Sequence, residues 1–313
     1  MVRVAGIDCG TNSIRLLIAD VDASGLTDVV RTMEVVRLGQ GVDKTGQFAT
    51  SAINRTFAAA ERYADECERH GVENLIFVAT SATRDASNRD VFVAGIEERL
   101  GVTPMVISGQ REAQLSFQGA ISVLDDLGED RVVAIDLGGG STEIVAGAAS
   151  GVGTSFSMNV GCVRLTERHL SCDPPTVDQQ ERARADVRAA LDEALDTVDL
   201  TDVRHIVGLA GTVTTVTARA LGLNRYDPQI INGTLLSTAE VEEACQWLIG
   251  ATRQQREAQG YMHPGRIDVI GGGALVWQEV VRRLSAETGV NQVLTSEHDI
   301  LDGIALWAGG QID

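Results

Sequence analysis

The chain has 313 residues, 44% of them hydrophobic, with 33 Gly and only 5 Pro. This is long enough for two domains with substantial cores, and the composition excludes a low-complexity or disordered chain. A formal charge of −18 argues against a general nucleic-acid binder, so an anion site would rest on a few placed arginines, backbone amides and a metal.

The N-terminus has no signal-peptide layout, and no stretch reaches the roughly 18 apolar residues that span a bilayer. Five scattered cysteines without C-x-x-C spacing speak against a disulfide scaffold or zinc site. The cytoplasm is the expected compartment, with no nucleic-acid or membrane partner.

In chain order, 2–7 and 14–21 read as a hairpin joined by Asp8-Cys9-Gly10-Thr11-Asn12-Ser13. Thr50 or Ser51 opens a helix with Ile53, Phe57, Ala60, Ala64 and Cys67 at helical spacing, and Gly71 closes it. A strand at 74–79 leads to the polar loop 80–88. A helix capped by Asn88, a strand at 102–107 and a helix from Gln110 to Leu127 follow. The opening theme returns at 131–146 as strand, Asp136-Leu137-Gly138-Gly139-Gly140-Ser141-Thr142, strand. The echo D-x-G-[TG]-[NG]-S predicts two halves of related topology offering phosphate-sized turns to a shared cleft. Further elements are a helix at 176–197, a strand at 203–209, helices from 212 and 238, a strand at 266–270, a helix from 274 and a last helix at 298–308. The alternation predicts an α/β fold. The domains expected are 1–124 with 297–313, and 125–296, the last helix packing back on the first.

In the second turn, Gly138, Gly139 and Gly140 let the backbone approach a ligand, their amides suit an anion nest, and Ser141 and Thr142 add donors. Asp136 ends a buried strand and suits Mg²⁺, which favours one or two carboxylates plus phosphate oxygens. A strand follows where a Rossmann turn would open a helix, and the Gly-Lys-Ser/Thr of a P-loop is absent. In the first turn, Thr11, Asn12 and Ser13 supply donors and Asp8 a second metal-facing carboxylate. Arg15 reaches either into the cleft or into an ion pair. Arg84, in the loop after strand 74–79, can grip phosphate, whereas Asn88 suits a helix cap. Glu112 stands near the third position of its helix, where spacing alone favours a capping role over a general base. Gly208 to Thr214, including Gly211 and Thr212, and Gly271-Gly272-Gly273 repeat the glycine theme between strand and helix. The five histidines show no ligand spacing.

The residues Asp8 to Leu16, Ile107-Ser108-Gly109 with Glu112-Ala113, and Asp136 to Glu143 together resemble the exopolyphosphatase/guanosine pentaphosphate phosphohydrolase (Ppx/GppA) family. Gly161 to Glu167, Gly208 to Thr212 and Arg266-Ile267-Asp268 extend the match over nearly the whole chain. The resemblance implies two ribonuclease-H-like domains of the actin-like, sugar-kinase-like superfamily, an interdomain cleft and a homodimer. It implies Glu112 as catalytic base and Asp136 and Glu143 serving a metal (Mg²⁺ or Mn²⁺) and the attacking water. It also implies Arg84 on phosphate and the glycine turns on terminal phosphates. Gln110, Arg111 and Gln114 depart from a pattern of acidic residues before the base and an arginine two after it. The chain ends where longer relatives append a helical HD-like domain, which predicts a weaker grip on long polymers. The implied activity is release of orthophosphate from inorganic polyphosphate. Its rivals are a phosphohydrolase converting pppGpp to ppGpp, a kinase of the same superfamily, and a non-catalytic sensor of polyphosphate or guanosine tetraphosphate.

Overall fold

The computed structural model describes residues 1–23, 25–122 and 128–312. The chain forms two compact units, Met1–Val123 with Asp299–Asp313, and Leu124–His298. The helix end expected at Leu127 and the boundary expected at 124/125 lie outside the described residues.

The first unit opens with β1 (Val2–Cys9), β2 (Ser13–Asp22) and β3 (Gly25–Val35), followed by α1 (Val42–Thr45) and α2 (Thr50–Arg69). Next come β4 (Asn74–Ala79), α3 (Ser81–Asp85), α4 (Arg89–Leu100), β5 (Met105–Val106) and α5 (Gly109–Ile121). Its five-stranded sheet has the order β3-β2-β1-β4-β5, with β1 antiparallel to β2 and parallel to β4. Strand alternation sorts the side chains by face. Ala5, Ile7, Cys9, Ile14, Leu16 and Ile18 pack with residues of α2 and α4, among them Ala59, Tyr63, Phe92 and Ile96. The Tyr63 hydroxyl donates to the Ile14 carbonyl (3.0 Å) and ties α2 to the sheet.

The second unit contains β6 (Arg131–Leu137), β7 (Thr142–Ala148), β8 (Gly151–Met158), α6 (Cys162–His169), α7 (Val177–Leu195), β9 (Val203–Leu209) and α8 (Ala210–Ala220). It continues with α9 (Pro228–Ile231), β10 (Leu235–Ser237), α10 (Thr238–Gly250), α11 (Arg253–Glu257), α12 (Ile270–Thr288) and β11 (Gln292–Thr295). The six-stranded sheet runs β10-β11-β9-β6-β7-β8. Read from β8, the series β8-β7-β6-β9-β11 repeats β3-β2-β1-β4-β5, with β10 added at the edge. Val133, Ile135, Leu137, Ile144 and Ala146 face a core shared with α6, α7, α8, α10 and α12. A capping box of Thr176 and Gln179 starts α7 one residue after the position expected for it.

The last helix, α13 (Ile300–Ala308), belongs to the first unit. Leu301, Ala305 and Ala308 pack on Val4, Leu17, Ala19 and Val21, the face opposite α2. Gly6 permits the approach, since a Cβ there would lie 3.0 Å from Ile304 Cγ2. Asp8 and Arg15 fall on this same face by alternation, beside the start of α13.

One expected element is overturned. Residues 266–270 are not a strand: Pro264–Arg266 form a 3₁₀ turn and α12 begins at Ile270. The apolar residues Ile267, Val269 and Ile270 suggested a buried strand, but a short apolar run has no period that separates strand from helix. Gly271, Gly272 and Gly273 therefore lie inside the first turn of α12. They serve packing there, because a Cβ on Gly272 or Gly273 would come within 2.3 Å or 2.5 Å of the Thr166 or Thr212 hydroxyl. Asn88 stands at the N-cap position of α4 without a side-chain cap bond. Its amide instead brackets Phe48, accepting from the backbone N–H (2.8 Å) and donating to the carbonyl (3.0 Å).

Candidate active site

The two echoed turns share one backbone device. The Gly10 N–H donates to the Ser13 carbonyl at 3.0 Å, and the Gly138 N–H donates to the Ser141 carbonyl at 3.0 Å. On the strands beside them, Asp8 pairs with Arg15 and Asp136 with Glu143, each two residues directly opposite in an antiparallel ladder. Opposed residues project to the same face and touch.

In the first unit that rung is an ion pair. Arg15 donates from Nε (2.9 Å) and Nη2 (2.6 Å) to Asp8 Oδ2, and from Nη1 to the Asp299 carboxylate. Burial pushes the Asp8 carboxyl up from its ordinary value against the pull of Arg15. Of the two roles open to Arg15 in the sequence, the structure shows the ion pair. Asp299 also caps α13 in a capping box with Asp302.

Glu112 lies close by, 8% exposed. It does not cap its helix. Ser108 does, accepting from the Arg111 N–H (3.2 Å), so α5 begins at Gly109, one residue before the expected Gln110, and Glu112 falls one position past the capping one. The carboxylate instead accepts from Arg84 Nη1 at 2.6 Å, and the same nitrogen donates to the Ile107 carbonyl at 3.0 Å. Burial raises the Glu112 carboxyl to about 6, with Arg84 and the Thr80 hydroxyl pulling down and the Asp8 charge pushing up. A buried carboxylate poised there suits proton abstraction near neutral pH. Arg84, expected on phosphate, is thus paired with Glu112 through one edge of a five-donor guanidinium.

Thr11 is buried, and its hydroxyl has no hydrogen-bond partner among the described residues. Gly39 holds the turn: its N–H donates to the Thr11 carbonyl (2.9 Å), and a Cβ on it would strike Thr11 Cγ2 at 2.4 Å. Asn12 and Ser13 are partly exposed, and the Asn12 carbonyl accepts from the Arg37 N–H (2.8 Å). Arg111, a departure from the family pattern, lies over the Trp307 ring of α13 at 4.5 Å.

The corresponding rung of the second unit holds two carboxylates. Asp136 and Glu143 are 7% and 1% exposed. Ser157, opposite Glu143 on β8, donates its hydroxyl to Glu143 Oε1 at 2.7 Å. Among the described residues no group of three or more His, Cys, Asp and Glu is placed to hold a metal. Mg²⁺ needs no such group, since one or two carboxylates with phosphate oxygens suffice. The Asp136–Glu143 pair fits that requirement.

The glycine turn is braced from behind. The carbonyls of Gly138 and Gly139 accept the Cys162, Val163 and Arg164 N–H groups at the start of α6 (2.9–3.1 Å). Gly161 makes this possible, as a Cβ on it would sit 2.6 Å from the Gly139 carbonyl and 2.7 Å from the Gly140 nitrogen. Thr142 donates its hydroxyl to the Val160 carbonyl (2.6 Å), which commits it to the turn's own architecture. Ser141 is buried beside it. Gly211 and Thr212 lie in the first turn of α8. Sequence reasoning assigned no role to Arg266, which lies against Gly211: Nη1 donates to its carbonyl at 3.0 Å, and a Cβ there would meet the guanidinium at 2.0 Å. Ser157 and Thr80 were likewise unassigned. Their roles depend on register and tertiary contact, and no motif marks them.

A family model described as the Ppx/GppA phosphatase family matches residues 17–307. The chain is 52% identical over 319 residues to exopolyphosphatase 2 of Mycobacterium tuberculosis, covering 99% of each protein. A crystal structure of an exopolyphosphatase-like protein is 49% identical, with a TM-score of 0.96 over 99% of this chain and 98% of that one. A Ppx/GppA family member from Aquifex aeolicus is 26% identical, with a TM-score of 0.81 over 99% of this chain and 98% of that one. The family match extends from β2 into α13 and takes in Arg84, Glu112, Asp136 and Glu143; the chain therefore belongs to the Ppx/GppA phosphatase family, and its two α/β units are the ribonuclease-H-like domains of that actin-like, sugar-kinase-like fold.

Proposed function

We propose that the protein is an exopolyphosphatase, releasing orthophosphate from the end of inorganic polyphosphate. The observation that carries the chemistry is Glu112, a buried carboxylate raised to about 6 and held by Arg84 instead of capping α5. The substrate follows from likeness over the whole chain to a protein named exopolyphosphatase 2.

In this reading a water oxygen attacks the terminal phosphorus while its proton passes to the Glu112 carboxylate. The terminal phosphoanhydride P–O bond breaks, and the leaving oxygen stays on a chain one unit shorter. Arg84, which holds Glu112 and the Ile107 carbonyl through Nη1, offers its remaining donors to the phosphoryl oxygens, where charge builds. Phosphate binding is assigned in the first unit to Thr11, Asn12 and Ser13, and in the second unit to Gly138, Gly139, Gly140, Ser141, Thr142, Gly211 and Thr212. Thr142 acts through its backbone, its hydroxyl being engaged by the Val160 carbonyl. Asp136 and Glu143 would hold a divalent cation, Mg²⁺ or Mn²⁺, which when bound neutralises phosphate oxygens. Asp8, expected to face the metal too, serves through its ion pair with Arg15.

Residues 1–124 with 297–313 and residues 125–296 act as the two domains of a cytoplasmic homodimer, a state that light scattering would check. The test of function is phosphate release with Mg²⁺ from short polyphosphate, long polyphosphate and pppGpp in parallel. Release from polyphosphate at enzymatic rates is expected. Release from pppGpp alone would reassign the substrate, and binding without release from either would make the protein a sensor.

A further inference from the structure

A cavity of about 260 Å³ opens in the second unit where the end of α6, the loop after it, α11 and the start of α12 meet. Its walls include none of the residues assigned to phosphate above. It is smaller than the roughly 300–1,000 Å³ of pockets that take cofactor-sized molecules, which points to a small ligand. Arg256, in its wall, is 4% exposed. The Nη2 of this residue donates to the Asp173 carboxylate, while its Nε has no partner among the described residues. Nη1 is turned to α12, since a Cβ on Gly271 would lie 3.4 Å from it. Buried donors are normally satisfied, and a guanidinium carries five of them. Burial draws the Arg256 pKa below its ordinary value in spite of the raising charges of Asp173 and Asp268, so the protein does not fully offset this cation.

The start of α12 borders the same space. The first N–H groups of a helix have no acceptor within it, and Val269 at the N-cap position supplies none from its side chain. Gly271 and Gly272, in that first turn, line the cavity. The Thr166 hydroxyl holds position 272 to glycine. Position 271 has no such neighbour: besides Arg256 Nη1, its Cβ would meet the Leu248 carbonyl at 3.6 Å and Ile249 Cα at 3.9 Å, ordinary contacts. Glycine is a poor helix former. What its missing methyl preserves here is open space between the Arg256 guanidinium and the first amides of α12.

We infer that this cavity is a second binding site for a phosphate oxyanion, held by Arg256 and the first amides of α12. Arginine and a helix N-terminus are both suited to such an anion. The Ser171 hydroxyl accepts from Gln179 Nε2 (2.8 Å) and keeps its own proton to donate. Arg253 adds an exposed cation, although its Nε is spent on Glu257 (2.7 Å). Arg253 and Arg256 are set against Asp173 and Asp268 in the lining, so the side chains are formally neutral and the helix N-terminus tips the balance towards an anion. The occupant is free orthophosphate or one unit of a polyphosphate chain, which present the same oxygens. The site stands whether or not the protein hydrolyses polyphosphate.

Cys172 is the exposed one of the five cysteines and lines the cavity, so it reports on occupancy. Its alkylation by iodoacetamide, a neutral reagent, is timed in the full-length protein at constant ionic strength, with divalent cations chelated so that no anion is consumed. Orthophosphate and tripolyphosphate replace chloride in turn. Alkylation should slow about tenfold at ten times the Kd of the bound anion. Slowing by orthophosphate assigns the site to free phosphate, and slowing by tripolyphosphate alone assigns it to a chain unit. Gly271→Ala should abolish the slowing at an equal or higher Tm, because the methyl fills the space at Arg256 Nη1 while alanine favours the helix. Arg256→Gln should abolish it as well, with a lower Tm because Asp173 loses its partner. Wild-type alkylation unmoved by either anion would overturn the inference and leave the cavity to water. Equal slowing in wild type and Gly271→Ala would also overturn it, placing the anion elsewhere in the protein.

Discussion

Arg15 and Glu143 occupy the same place in two copies of one supersecondary unit: each lies seven residues after the aspartate that it faces across an antiparallel rung. The turns between them carry the same Gly-to-Ser backbone bond. In one copy the aspartate meets a guanidinium, and in the other it meets a carboxylate. The first arrangement neutralises its charge internally. The second sets two buried carboxylates opposite one another. In the proposed reading the repeat divides its labour, the first copy holding an ion pair and the second the carboxylates assigned to a divalent cation.

From this division, Asp136→Asn and Glu143→Gln should each raise the Mg²⁺ concentration for half-maximal phosphate release by tenfold or more. Arg15→Gln should leave that concentration unchanged. An equal rise in all three, measured by metal titration at fixed polyphosphate, would contradict the assignment.

Arg15→Gln should instead destabilise. It leaves the Asp8 and Asp299 carboxylates facing one another without their cation, at a cost of about 2–3 kcal/mol, moderated because Arg15 is partly exposed. Asp8 is already raised by burial, and the variant should raise it further. A group so shifted binds protons in the folded state that it releases on unfolding, so the loss is greatest above neutral pH and shrinks on acidification. Thermal unfolding at pH 5 and pH 8 checks this; an equal Tm loss at both would be the contrary result.

Glu112→Gln should lower kcat by about 10²- to 10⁴-fold, the usual worth of a general base, without loss of fold. Wild-type turnover in this variant would exclude Glu112 as base. In the wild type, kcat should rise with pH as Glu112 ionises at about 6. Stability runs the other way. The folded protein holds the proton up to about 6 and the unfolded chain only to 4.5, so stability falls as pH rises through that window, by about 2 kcal/mol. Glu112→Gln escapes this loss and should melt at or above the wild-type Tm at pH 8, a result that a purely structural Glu112–Arg84 pair would not give.

Gly161→Ala should disturb the second phosphate turn without touching any donor. The added methyl must displace the Gly139–Gly140 peptide, from which it would lie 2.6–2.7 Å. A stability loss of about 1–3 kcal/mol is expected, with a higher KM for polyphosphate. A substrate affinity equal to wild type would show that the turn's position is not what binds phosphate.

Much of this fold is written locally. The two D-x-G turns, the hairpin strands around them, the strand Val203–Leu209 and the Thr176-capped helix each combine a periodic apolar pattern with a cap or turn residue nearby. Their signals are complete within a few residues. The edge strands β3 and β8 escaped notice because exposed residues such as Asp28 and Arg31, and half-buried polar ones such as Thr154 and Ser155, dilute the alternation. The run from Arg266 to Ile270 misled for the opposite reason: uniformly apolar residues fit a buried helix start as well as a strand.

Sequence by itself determined the echo, the glycine turns and the identity of the residues beside them, because those depend on chain neighbours. Only the tertiary structure decided what each side chain does. Glu112 is a buried carboxylate held by Arg84, 28 residues earlier, and not a helix cap, because Ser108 already satisfies the helix start. Asp8 faces Arg15 and Asp136 faces Glu143, because the strand register sets a guanidinium opposite one and a carboxylate opposite the other. Charge state follows from burial and from the groups within hydrogen-bonding reach, and both are fixed only when distant segments pack.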